Sequence, residues 1–368
     1  MRVVSEQPHS FPCPQCGATM AFDPRRGLLA CAACGHTLAR EPIDEAALAE
    51  ARREQDYLEA LRRLAAREPT LEARIVDCPS CGAQTRLDGH VVADRCAFCA
   101  TPLVLDRAHV ERLIRPQAVV PFALDRPAAQ QQFATWISGL WFAPDALKKT
   151  VREADGVRGV YVPYWTYDAH TFTRYRGERG VNRQVAEIRP NASAQAGAGT
   201  RTVTDWSPAG GAVDLRFDDI LVVGSPSIPE SLAGVLGGWK LDSLQPYRDD
   251  VFAGFTVEAY RVGLEDGFRQ ARARMEPRID GAIRADIGGD HQRIHAKDTA
   301  VDDIRFKHIL LPVWIGSYRF DGRGYQVVVN AQTGQIAGDR PWSKWKVGLA
   351  AAAFILVLML LFWLNEAG

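Results

Sequence analysis

Apolar positions follow three rhythms along this chain, and the longest unbroken run sets the frame. From Val347 to Leu364, eighteen consecutive residues are apolar or glycine. At ~1.5 Å rise per residue, a helix of that length is about 27 Å long, close to the ~30 Å hydrocarbon thickness of a bilayer. The pattern predicts a transmembrane helix over 347–364. Trp342, Trp345 and Trp363 mark its edges, and Arg340, Lys344 and Lys346 lie just before or at its start. Under the positive-inside bias, the bulk N-terminal to the span then lies in the cytoplasm, giving a single-pass, tail-anchored protein of the inner membrane. A buried core helix is the alternative, although core helices are normally shorter.

A 3.6-residue rhythm predicts helices elsewhere. Asp44 can cap a helix over 44–68 that Pro69 stops, with Leu58, Leu61, Leu64 and Ala65 on one face. It reads as a spacer or partner-binding helix, or as a helix packed on the ribbons. Asp125 can cap another, which carries Phe133, Trp136, Ile137 and Leu140 at i, i+3, i+4, i+7. A third begins near Glu265, with Phe268 and Met275, and is expected to be interrupted at Pro277.

Strand rhythm dominates the rest. Tyr161–Tyr167 reads as a strand that Pro163 demotes to an edge or a bulge, because proline lacks a ladder donor. Leu310–Trp314 repeats its apolar-apolar-Pro-apolar-Trp pattern, and each copy runs toward an aromatic, Gly/Arg-rich stretch expected to be a hairpin, Tyr175–Gly180 and Tyr318–Tyr325. Asn330–Gly334, between Gln326–Val329 and Gln335–Ile336, is a further hairpin loop with glycine at the αL position. These signals predict an α+β domain over 114–342 with an antiparallel sheet and a pseudo-duplicated plan. Leu103–Arg115 reads as a short linker ahead of it.

The eight cysteines change the picture most. Cys13, Cys16, Cys31 and Cys34 are followed by Cys78, Cys81, Cys96 and Cys99, each 65 residues after its counterpart. Two residues between thiolates let a tight turn present both to one ion, and Gly17, Gly35 and Gly82 supply the φ > 0 that ends such a turn. Ala100 departs from that pattern. Between the first pair of knuckles, Ala18–Phe22 and Leu28–Cys31 read as short strands around Asp23–Gly27; in the second unit Asp88-Gly89 is the turn signal. The reading is two small zinc ribbons, over 11–40 and 76–104, each closed around one zinc ion that supplies folding energy. Iron held by four thiolates is the competitor.

Charge then narrows the partner. The whole chain balances 44 basic against 44 acidic residues, so no global field draws it to polyanions. From Met1 to Leu105 twelve arginines and no lysine face fourteen carboxylates. With four thiolates around each Zn²⁺, the region carries roughly −6. That disfavours phosphate contacts, which supply most non-specific nucleic-acid affinity, and favours a protein partner. Met1–Ser10 has no apolar stretch, so no secretory signal is expected. In a reducing compartment cysteines serve metals more often than disulfides.

Little in the sequence points to catalysis. There is no phosphate loop, no Gly-x-Ser-x-Gly elbow and no His-Glu-x-x-His. Asp168 and His170 read as an acid/base pair or as two ordinary polar groups. His291 and His295, beside Asp290, read as a metal pair on a helical face or as solvated side chains. The nine tryptophans read as core and interface anchors.

The runs Gly159–Asp168, Gly177-Glu-Arg-Gly180, Phe306–Trp314 and Asn330–Gly334 resemble a bacterial family of zinc-ribbon membrane proteins of the TFIIB type. Its members are often labelled primosomal protein N′ or superfamily II helicase. The resemblance implies zinc on all eight cysteines and membrane-stress scaffolds of phage-shock or SPFH type as protein partners. It does not carry helicase activity, which needs a phosphate loop and Mg²⁺ ligands absent here. The sequence therefore predicts a non-enzymatic, membrane-anchored adaptor, with a membrane-tethered nucleic-acid-binding regulator as the rival.

Overall fold

The structure, a computed structural model, describes residues 11–66, 71–87, 95–144, 157–187, 199–321 and 323–367. Strands β1 (Met20–Asp23), β2 (Leu28–Cys31) and β3 (Thr37–Leu38) form a small antiparallel meander. Where one helix was expected over 44–68, the chain builds α1 (Glu45–Arg52), β4 (Gln55–Asp56) and α2 (Tyr57–Ala65). Two aspartates compete to start a helix here. Asp44 accepts from the Ala47 amide at 2.6 Å and Asp56 from the Glu59 amide at 2.7 Å, so each caps its own short helix. Pro69 and the Asp88-Gly89 turn signal lie outside the described residues.

A second small sheet, ordered β6-β5-β7, contains β5 (Leu71–Asp77), β6 (Gln84–Arg86) and β7 (His109–Leu113). The segment read as a linker thus contributes β7. There follow β8 (Ala118–Val119), α3 (Arg126–Gly139), β9 (Arg158–Glu187), β10 (Gly199–Val223), β11 (Gln245–Pro246), β12 (Thr256–Val257) and α4 (Leu264–Ile287). The last elements are β13 (His291–Phe320), β14 (Arg323–Asn330), β15 (Ile336–Gly338) and α5 (Lys344–Ala367).

Pro277 does not interrupt α4, which runs 24 residues through it. Proline costs a helix interior about 3 kcal/mol. Ala271, Met275, Ile279, Ile283 and Ile287, four residues apart, are all buried against β9 and β10, and burying several such side chains at ~1.5–3 kcal/mol each outweighs it.

The large sheet is ordered β10-β9-β13-β14-β15, with β12 and β8 added as short parallel neighbours of β9 and β13. Its five ordered strands pair antiparallel, as expected, and only the two short additions make the sheet mixed. Pro163 and Pro312 sit at its centre, not on an edge. Tyr161 pairs with Pro312, Val162 with Leu311 and Pro163 with Leu310, so the two proline strands are related by a local two-fold through Val162 and Leu311. The Pro163 carbonyl accepts from Gly224 N at 2.7 Å, and the Pro312 carbonyl from Ala331 N at 3.0 Å. A residue's N and C=O point to the same side of a strand. Each missing donor therefore faces the gap where an antiparallel neighbour ends and a parallel one takes over: β10 and β12 for Pro163, β14 and β8 for Pro312.

Alternation divides this strand pair into two cores. Val160, Val162, Tyr164, Ile309, Leu311 and Val313 face one side, where Val76, Cys78, Ala83, Cys96, Ala97 and Phe98 pack on them. Tyr161, Leu310 and Trp314 face the other, against Cys13, Met20, Phe22, Leu29 and Cys31. The two cysteine-bearing units thus clamp opposite faces of one sheet. A third core lies under α4. By contrast, none of the apolar stretch of α5 is buried. That helix is long and apolar enough to cross a membrane.

Candidate metal centres

The four thiols of each unit converge. In the first, Cys13 Sγ lies 3.5 Å from Cys34 Sγ and Cys16 Sγ 3.5 Å from Cys31 Sγ; in the second, Cys78 to Cys99 is 3.5 Å and Cys81 to Cys96 is 3.6 Å. Within each set all four sulfurs are within 4.8 Å of one another. A tetrahedral ion at ~2.3 Å from sulfur needs S···S edges of about 3.8 Å, so the donor sets fit a Zn²⁺-sized cation. The 65-residue sequence repeat is thereby a repeat in space.

Each knuckle is closed by its own backbone. Gly17 N donates to Cys13 O, Gly35 N to Cys31 O, Gly82 N to Cys78 O and Ala100 N to Cys96 O, all at 2.8–2.9 Å. The closing residues have φ of 76°, 75°, 72° and 60°, so Ala100 adopts the geometry that its three glycine counterparts adopt more cheaply.

Crowding splits the thiols. The Cys34 amide, donating to Cys31 Sγ, holds that thiol down to about 7. Cys34, although the His36 amide favours its thiolate, is pushed up to about 12 by burial and the neighbouring thiols. In the second set Cys99, against its burial, is held at about 7 by Thr101, while the Cys96 thiol drives Cys81 upward. Four thiolates so close cannot all ionise without a cation among them.

Two central strands and the loop before α4 hold the second knuckle pair through its carbonyls. Arg158 donates to the carbonyls of Arg95 and Cys96, both at 3.2 Å, and Arg261 to that of Gly82 at 2.9 Å. Ser317 donates to Phe98 O. The first unit is pinned by Phe22 N to Ala253 O at 2.9 Å and by Arg40, whose guanidinium meets the buried Asp250 carboxylate at 2.7 Å. None of the anchoring donors Arg40, Arg158, Arg261 and Ser317 carries a local signal. The sequence marks them only as Arg and Ser in strands and loops.

The other candidates fall apart as sites. His170 does not pair with Asp168. Its ring bridges Asp302 (2.7 Å) and Asp214 (2.8 Å) across both neighbouring strands, and these carboxylates raise its pKa. Asp168 instead meets Glu54, and burial with that neighbour lifts it to about 7. Glu54, Asp168 and Asp218 form a carboxylate cluster, but Lys307, almost fully buried, already contacts Glu54 at 3.1 Å and Asp219 at 2.9 Å. His291 and His295 lie on β13, not on a helix. His295 contacts Glu178 at 3.4 Å, while His291 sits beside Trp206.

Residues 70–113 match a family model described as "Zinc-ribbon containing domain". Together with the two thiol clusters, this makes the chain a zinc-ribbon-containing protein. A protein of Bacillus subtilis (strain 168) named "Uncharacterized protein YdjG" is 26% identical over 356 residues, 94% of this chain and 95% of that protein. No solved structure matches.

Proposed function

We propose that the protein is a non-enzymatic adaptor of the TFIIB-type zinc-ribbon membrane family. It would be held by α5 in the inner membrane, with two zinc ions bracing a cytoplasmic domain that recruits a protein partner. One observation carries the reading. Two four-thiol clusters clamp opposite faces of the same sheet, and that sheet leads through a few residues into an exposed apolar helix. A closed four-thiolate site has no open position for catalysis, so its metal serves structure. The knuckle tips of the first unit, Pro14, Gln15, Ala32 and Ala33, are exposed and uncharged, which suits a protein surface better than a phosphate backbone. Membrane scaffolds of phage-shock or SPFH type are the partners that the resemblance suggests.

The test is crosslinking in native membranes, comparing intact protein with the exposed-ligand variant Cys16→Ser/Cys34→Ser. The adaptor reading expects a defined protein adduct that the variant loses. Retention of DNA or RNA by the purified protein, falling steeply as salt rises, would replace it with the nucleic-acid reading.

A further inference from the structure

Where α3 ends, the chain turns two large aromatic side chains outward. Leu140 and Ala143 are buried against Tyr318 and Val327, while between them Trp141 is 62% exposed and Phe142 37%. Phe142 and Trp342 bring their rings to 5.9 Å, and Trp141 stacks on Phe142 at 6.0 Å. The backbone joins the two segments, since Ser343 N donates to Phe142 O at 2.7 Å and Lys346 Nζ to Ala143 O at 3.1 Å. Trp342 is 57% exposed and Trp345 79%. Arg340 lies over the Trp342 ring, 4.8 Å from its centre.

These contacts fix a depth. The apolar helix spans Lys344–Asn365, 22 residues, or about 33 Å at 1.5 Å per residue, so its Lys344 end lies at a bilayer surface if it crosses. Phe142 is hydrogen-bonded to the residue just before that end. Trp141 and Phe142 must then lie at headgroup level, where indole rings are favoured and bulk water would leave about 150–250 Å² of aromatic surface each partly uncovered.

We propose that Trp141 and Phe142, with Trp342 and Trp345, form one lipid-facing aromatic clamp that seats the α3 side of the domain on the bilayer interface. The proposal rests on the reading of α5 as a membrane span. A helix alone would leave the domain free to swivel. A second contact supplied by α3, which packs on β14 and β15, fixes which edge of the sheet meets the membrane and which faces away toward a partner.

Photo-crosslinking of the full chain in vesicles of phosphatidylethanolamine and phosphatidylglycerol tests it, with Trp141→p-benzoylphenylalanine and, separately, Trp345→p-benzoylphenylalanine. The expected result is a one-phospholipid mass adduct at both positions. An adduct at 345 with none at 141, or an adduct at 141 to a second copy of the chain or to another protein, overturns the clamp and leaves the span standing. No lipid adduct at either position overturns the span itself, and the clamp with it.

Discussion

Trp165 and Trp314 make the same hydrogen bond from matching positions on antiparallel neighbours: the Trp165 indole donates to Val262 O at 2.9 Å, and the Trp314 indole to Leu124 O at 2.9 Å. The match extends outward. Gly224 O accepts from the amides of Arg261 and Val262, and Ala331 O from those of Ala123 and Leu124. Each acceptor segment then enters a helix, α4 in one case and α3 in the other. A repeated five-residue strand pattern has thus become a repeated device that ties strand, neighbouring strand end and helix start.

Trp165→Phe and Trp314→Phe should therefore cost similar amounts, roughly 1–3 kcal/mol each, because each leaves a part-buried carbonyl without its donor. Chemical denaturation of the detergent-solubilised chain measures both. A large loss from one with none from the other would show that the two positions are not equivalent in energy.

Metal removal should loosen the sheet as well as the ribbons. Cys78 and Cys96 share a core with Val160, Val162 and Leu311, and Cys13 and Cys31 share one with Tyr161 and Trp314. Chelation, or Cys96→Ser, should speed amide exchange at 160–165 and 309–314, not only at the knuckles. Exchange confined to 11–40 and 71–113 would mean that the sheet stands without its clamps.

Ala100→Gly should be neutral or stabilising by up to about 1 kcal/mol, since φ of 60° strains any residue with a Cβ. Gly35→Ala, at φ 75° with open space around the added Cβ, should be destabilising by about 1 kcal/mol through backbone strain alone. Melting temperatures of the zinc-loaded variants order the two.

Glu258 sets a pH dependence. Burial lifts this carboxyl to about 8, although the Ser225 and Ser227 hydroxyls favour its charged form. A folded-state pKa above the unfolded one means that the native state binds the proton more tightly. Stability attributable to Glu258 is then fully present below about 4.5 and is lost as pH rises toward 8, by at most about 1.4 kcal/mol per unit. Glu258→Gln, which keeps an acceptor for Ser225, should flatten that slope. An unchanged slope in denaturation midpoints between those limits would assign it to other groups.

Local signals carried much of this molecule. The two-residue spacing within each knuckle marks its thiols because a turn of that size is self-contained, and the eighteen-residue apolar run marks a helix by length alone. The Asp125 cap is as expected, with its carboxylate accepting from Ala128 N at 3.0 Å, and Ile137 and Leu140 are buried as their spacing required. Gly177 and Gly180 misled because they looked like a turn. Both lie inside β9, where a Cβ on Gly177 would come within 2.2 Å of Arg293 O and one on Gly180 within 2.8 Å of Thr204. They are there for close approach between strands. Pro163 misled for a related reason, since a proline tolerated where one neighbour hands over to another, as Pro312 also is, looks in sequence like a proline at an edge. Nothing local reveals that Phe22 and Phe98 belong to the central cores, because that burial is created only when the ribbons close on the sheet.

Metal content per chain, measured on detergent-purified full-length protein by mass spectrometry of the elements, tests the central claim most directly. The account predicts two zinc ions per folded chain, both released when the thiols are alkylated under denaturing conditions. A chain that is folded with its cysteines reduced and carries no bound metal, or that carries iron in place of zinc, contradicts it.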